Sequence, residues 1–238
     1  MLGPYLNGAA IFFGGALGLL LAPIIPLRLR EGLPAAFAMT SIAMGVVMTI
    51  KVHQLPAVAL ALILGVAIGE LCYMEKGVQK FGSFIQRALA HIVPTRHHGM
   101  TPEAYSQNFT ALIVLFCASG TGVVGSLTEG MTGDYQLLLV KSLLDVFTAA
   151  IFATTLGVGV MTIALPQLAI QAALFCSARL IMPFMDDVTL GDFSACGGIL
   201  MIAVGLRIAQ IKTFAVVNFL PALVLIVPIS LYWHKFMG

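Results

Sequence analysis

The chain has 238 residues, 60% of them hydrophobic and 9% charged, with a formal net charge of +2 and a mean hydropathy of +1.03. Soluble domains carry roughly 25% charged residues, so twelve Lys and Arg with ten Asp and Glu cannot give this length of chain a water-compatible surface. That argues against a soluble enzyme, and so small a net charge offers no footing for a nucleic-acid partner. Lipid has to be the solvent for most of the chain, at ~20 apolar residues per crossing.

Eight apolar segments follow in order, at 5–25, 34–52, 55–74, 108–127, 136–160, 162–183, 193–211 and 213–233. None alternates apolar with polar residues as barrel strands do, so helices must satisfy the backbone in lipid. The expected fold is all-α, a polytopic transmembrane bundle of about eight spans within one membrane domain, 1–238. Seven spans remain open, because the boundaries near Pro166 and Lys212 are weak. The first segment lacks a basic start and is followed by further apolar runs, so it reads as a span, not a cleavable signal.

Sidedness comes from the basic residues. Arg28, Arg30, Lys76, Lys80, Arg87, Arg96, Arg207 and Lys212 fall on one side, and Lys51, Lys141, Arg179 and Lys235 on the other. The richer side is expected in the cytoplasm, which places connections 26–33 and 75–107 there and both termini outside. Within 75–107, Val78, Phe81, Ile85 and Leu89 recur at helical spacing with Lys80 and Arg87 on other faces. The pattern fits a helix lying on the membrane surface, or else a solvated basic loop.

The two halves carry hints of a repeat. With Phe37 opposite Phe193, Lys51 meets Arg207 and Gln54 meets Gln210, and Leu55-Pro56-Ala57 answers Leu220-Pro221-Ala222. The first span offers Gly14-Gly15-Ala16-Leu17-Gly18 and the fourth Val124-Gly125-Ser126-Leu127. Three spans (5–74) would be repeated within 108–238, with a helical hairpin at about 136–183 inserted. An odd number of spans inverts the second unit, which is a plan of secondary transporters.

Asp145 is the sharpest chemical signal, since a carboxylate in hydrocarbon costs about 2.5–3.5 kcal/mol even on a gentle scale. Lys141 lies four residues earlier on the same face. The pair reads either as a proton- or cation-handling site or as an internal pair that orients helices. Glu70 closes the third span, where an interfacial position is equally natural. Asn218 precedes Pro221, whose missing N–H frees a carbonyl that can join the amide in coordination; an interhelical hydrogen bond is the alternative. Asn7 reads as an interfacial cap.

The stretch 118–134 is rich in glycine and hydroxyls. Gly120, Gly122 and Gly125 match GxGxxG formally, but no βαβ unit surrounds them, so the match carries no dinucleotide meaning. The stretch reads either as an unwound segment lined by Ser119, Thr121, Glu129, Thr132 and Asp134, or as close helix packing followed by an outer loop. Asp186, Asp187 and Asp192 fall in a connection expected to be solvated. Cys72, Cys117, Cys176 and Cys196 are dispersed in apolar runs and read as small core residues. The five histidines show no ligand spacing, so no metal or other cofactor is expected, and no catalytic arrangement can be assembled.

Three long runs, LFCASGTGVVGSLTEGMTGD, VKSLLDVFTAAIFATTLGVGV and IKTFAVVNFLPAL, resemble the YqgA/YdfK-type family of bacterial inner-membrane proteins. The likeness covers essentially the whole chain and implies a bacterial cytoplasmic membrane location. It implies no substrate and supplies no functional residues. From the residues themselves, the leading expectation is a transporter or channel for a small solute or ion. Asp145, Lys141, Asn218 and the Gly120–Gly125 stretch would then carry a small cation or proton. The rival is a membrane scaffold or binding protein acting through helix packing and homo-oligomerisation, built on glycine faces such as Gly14, Gly15 and Gly18.

Overall fold

The computed structural model describes residues 1–21, 26–90, 101–117, 119–212 and 214–237. No strand occurs among them. The helices in chain order are α1 (Leu2–Leu21), α2 (Leu27–Thr49), α3 (Leu55–Leu71), α4 (Met74–Ala90), α5 (Pro102–Cys117), α6 (Gly120–Thr132), α7 (Gln136–Leu156), the single turn α8 (Gly159–Thr162), α9 (Ala164–Ile181), α10 (Asp187–Ile208) and α11 (Pro221–Met237). Each of the eight expected spans overlaps at least one of them. Among the described residues, six helical stretches are long and apolar enough to cross a bilayer, or seven if α3 and α4 form one bent span. The described apolar part of α2, Ala38–Thr49, is shorter. The protein is therefore a polytopic helical membrane protein.

Local chemistry sets the helix ends. Ser119 caps α6 by accepting the Gly122 N–H, and Gly133 closes the same helix in the left-handed region at φ 78°. Gly157 ends α7 at φ 69°. The Asp186 side chain accepts the Thr189 N–H at 2.7 Å to start α10, and that bond holds its carboxyl below the usual carboxylate range. Pro221 opens α11 at a position where no N–H is needed. Pro221, expected to free a carbonyl for coordination, begins a helix after a short 3-10 turn at Val216–Phe219.

The described residues form two compact units. The first comprises 1–33 and 77–177, the second 34–76 and 178–238. In the first, α1 and α7 run parallel in close contact: a Cβ on Gly14 would strike the backbone of Val146, and one on Gly18 the backbone of Ala150. A core of Ile11, Phe109, Leu112, Ile113, Phe116, Ala153 and Ile163 fills the unit around them. Ile85 and Leu89 of α4 join this core, while Phe81 of the same helix is exposed. The amphipathic helix expected in 75–107 is thus present over 74–90. Residues 91–100, with His91, Arg96, His97 and His98, lie outside the described residues, as do 22–25.

In the second unit, Ala57, Ala61, Gly65 and Gly69 make a buried small-residue stripe along α3. It runs antiparallel to α11, with Gly65 against Ala222 and Gly69 against Asn218. Gly45 and Gly198 bring α2 and α10 into similar contact. Small residues at such crossings let backbones approach, the main source of helix association in lipid. Gly14, Gly15 and Gly18, expected as subunit contacts, are buried within the first unit instead.

Gly69→Leu should therefore lower the melting temperature in detergent sharply or prevent recovery of folded protein, because its side chain would need the space of the Asn218 backbone. Gly77→Ala, in α4 with open space around it, should be neutral or stabilise by about 0.5–1 kcal/mol.

Candidate functional site

The first unit contains a buried polar cluster. Asp145 sits nine residues into α7, about 13–14 Å along the helix from its start. Its Oδ2 receives two donors, the Lys141 ammonium one turn earlier and the Asn7 Nδ2 of α1 at 2.7 Å. Asn7 is fully buried, and its side chain bonds to Asp145 rather than capping α1. Its Oδ1 accepts the Nε2 groups of Gln167 and of Gln171, the latter at 2.9 Å. Both glutamines lie on α9, one turn apart, and are 0% and 2% exposed.

The donors form a directed chain. An ionised carboxylate only accepts, so Asn7 must offer it the amide NH2. Its carbonyl then faces α9, and both glutamines spend NH2 groups on it. The carbonyl ends of Gln167 and Gln171 are left buried without a partner. An unsatisfied buried acceptor costs about 1–3 kcal/mol, so this cluster is a poor way merely to glue helices.

The fourth wall is the break between α5 and α6. The expected single span at 108–127 is two helices, and Ser119 at the break is the cap of the second. The position a Cβ would take on Gly122 lies 3.0 Å from Ser119 Oγ, 3.1 Å from Gln171 Nε2 and 3.2 Å from Lys141 Cε. Glycine there lets the polar side chains close against the first turn of α6. The N-terminal end of a helix, with its partial positive charge, thus lies mid-span beside the Lys141–Asp145 pair. Phe116 offers its ring 5.8 Å from the ammonium.

The structure brings Asp145, Lys141, Ser119 and Gly122 together, with Gly120 and Thr121 in the same first turn of α6. It does not unwind 119–132, which is helical beyond Ser119; Ala118 is outside the described residues. Glu129 is buried, but its carboxylate caps α1, accepting Leu2 N–H at 2.7 Å and Gly3 N–H at 3.1–3.2 Å. Asp134 is exposed and starts α7 by accepting the Gln136 N–H. Glu70 is exposed at the end of α3.

Asn218 takes part in a separate clasp in the second unit. Its Oδ1 accepts the Glu75 N–H at 2.8 Å, and the Glu75 carboxylate accepts Val217 N–H and Arg207 Nη1. The amide holds the start of α4 and does not coordinate through a freed carbonyl. Asp192, expected in a solvated connection, lies on α10 and is fully buried. It accepts the N–H groups of His53 and Gln54 at 2.9 and 2.8 Å and the Ser230 hydroxyl at 2.7 Å, so it ties down the two residues that lead into α3. No group of three or more His, Cys, Asp or Glu capable of holding a metal occurs among the described residues.

Residues 2–231 match the family described as "Protein of unknown function (DUF554)". The chain belongs to the DUF554 family. It is 46% identical to the "Uncharacterized protein YqgA" of Escherichia coli (strain K12), over 98% of this chain and 97% of that protein. It is 29% identical to the "Uncharacterized membrane protein YdfK" of Bacillus subtilis (strain 168), over 53% and 55%. No solved structure matches. In this DUF554 member, the sequence reasoning passed over Gln167 and Gln171. The signal was two amides four apart in the apolar run 162–183, on one helical face.

Removing one partner of a buried ion pair costs about 3–5 kcal/mol, whereas replacing both with apolar residues can be nearly neutral. Lys141→Met and Asp145→Leu should each destabilise the protein strongly. The double variant should unfold at a higher temperature than either, measured by thermal melting in one detergent.

Proposed function

We propose that the protein is a transporter or channel for a small ion or solute, with Asp145 as the group that handles the moving charge. The observation that carries this reading is the Lys141–Asp145 pair at the middle of α7, set beside a broken span and linked to buried amides on two other helices. Discontinuous helices whose ends meet polar side chains at mid-depth are how secondary transporters present polar sites in lipid. Structural pairing alone gives no reason for the helix break or for the two unsatisfied carbonyls.

The inverted repeat is part of this proposal, as is a cytoplasmic-membrane location with 26–33 and 75–107 on the cytoplasmic side. The scaffold reading is less favoured, because the glycines that motivated it are consumed by α7 and α8 inside the unit. Enzymatic activity is not part of the proposal.

Reconstituted vesicles should show flux of a small ion or of protons above that of empty vesicles. Asp145→Asn should reduce it to the empty-vesicle level. Wild-type flux in that variant would end the role given to Asp145, and a large apolar association between copies with no flux of any ion would favour the scaffold. For sidedness, alkaline phosphatase fused after Gly238 should be active and green fluorescent protein at the same point dark. The opposite pattern would reverse the orientation.

A further inference from the structure

The part of α4 that belongs to the first unit presents three different flanks. At ~100° of rotation per residue, Gly82, Ile85 and Leu89 fall together. All three are buried, and Ile85 and Leu89 enter the core of the unit. Phe81, Phe84 and Ala88 fall on the next flank and are exposed, the two rings at 49% and 68%. Gly77 lies on the same flank, and a Cβ built there would meet nothing. Lys80 and Arg87 follow, both exposed. They are seven residues apart, two turns or about 10 Å along one face.

Neither cation has a counter-charge. Among the described residues neither Lys80 nor Arg87 enters an ion pair. The one acid of α4, Glu75, is committed to Arg207 and to the Val217 N–H. Water would suit the cations and not the two rings. Hydrocarbon would suit the rings and not the cations. The order around the helix, from core to rings to cations, follows the change from protein to acyl chain to phosphate at the edge of a bilayer. Long basic side chains reach headgroups from such a position while apolar neighbours dip below. Phosphates of zwitterionic lipids bring their own cation, so two unpaired positive charges favour lipids with net negative charge.

We infer that the α4 face made by Lys80, Phe81, Phe84 and Arg87 binds anionic phospholipids, with the two cations holding headgroup phosphates and the two rings seated in the acyl region. No residue of the Asp145 cluster takes part, so the site stands or falls apart from the transport reading. Because Ile85 and Leu89 hold the opposite flank of this helix in the core, lipid bound to the folded form should stabilise the unit.

The test is thermal unfolding of the purified full chain in a mild detergent, titrating phosphatidylglycerol against phosphatidylcholine of the same acyl chains. Phosphatidylglycerol should raise the melting temperature saturably, and phosphatidylcholine should need at least tenfold more for the same rise. The double variant Lys80→Gln, Arg87→Gln should melt like wild type without lipid, since both side chains are exposed and unpaired. It should need at least tenfold more phosphatidylglycerol. The pair Lys80→Arg, Arg87→Lys should keep the wild-type response, and Phe84→Ser should weaken it. Lys235→Gln removes an exposed cation of α11 and should leave the response intact.

A full response in the double variant would overturn the site. So would an equal response to phosphatidylcholine or to inorganic phosphate, or an equal loss in Lys235→Gln, which would make the effect one of net charge. A melting temperature that follows protein concentration and ignores lipid would give this face to a second copy of the chain and overturn the lipid site.

Discussion

Hydrocarbon cannot solvate a charge, and in this protein the consequence is concentrated at Asp145. A carboxylate at that depth must have donors brought to it, and those come from two helices: Lys141 from its own, Asn7 from α1. Supplying Asn7 requires α1 to lie almost against the backbone of α7, which is why Gly14 and Gly18 face Val146 and Ala150. Turning Asn7 toward the carboxylate then commits the amides of α9. Glycine spacing, helix order and the orphaned carbonyls follow from keeping one charge in lipid.

The same logic organises the rest of the buried polar groups, with a different result. Glu129 and Asp192 are also buried, yet Glu129 accepts the N–H groups of Leu2 and Gly3 at the start of α1, and Asp192 those of His53 and Gln54 just ahead of α3. Those N–H groups have no partner inside their own helix, and the favourable end of the helix dipole meets the negative charge. Such carboxylates are satisfied by architecture. Asp145 takes its donors from the side chains of Asn7 and Lys141, which can let go. That difference separates a structural acid from one suited to exchange its partner.

Much of the fold was legible in the sequence, because lipid imposes a simple rule: every run of about twenty apolar residues must become helix. Lys141 and Asp145 were legible for the same reason, being charges where charge is expensive. What was not legible needed three dimensions. Asn7 lies near the start of its segment and reads as a cap until α7 is placed beside it. Gln167 and Gln171 carry no charge and drew no notice. Asp192 looked like part of an acidic connection, although α10 begins at Asp187 and takes it inside. Asn218 beside Pro221 suggested a coordinating break, but the proline opens a helix and the amide holds Glu75.

The bond from Asn7 to Asp145 joins residues 138 positions apart. Ribosomes deliver α1 first, so this amide enters the bilayer long before its acceptor has been synthesised. Until α7 and α9 arrive, the first helix carries an uncompensated polar group at depth and cannot be held by its eventual neighbours. Its final seating has to be a late event in biogenesis, one that locks an early segment only after most of the polypeptide has left the tunnel.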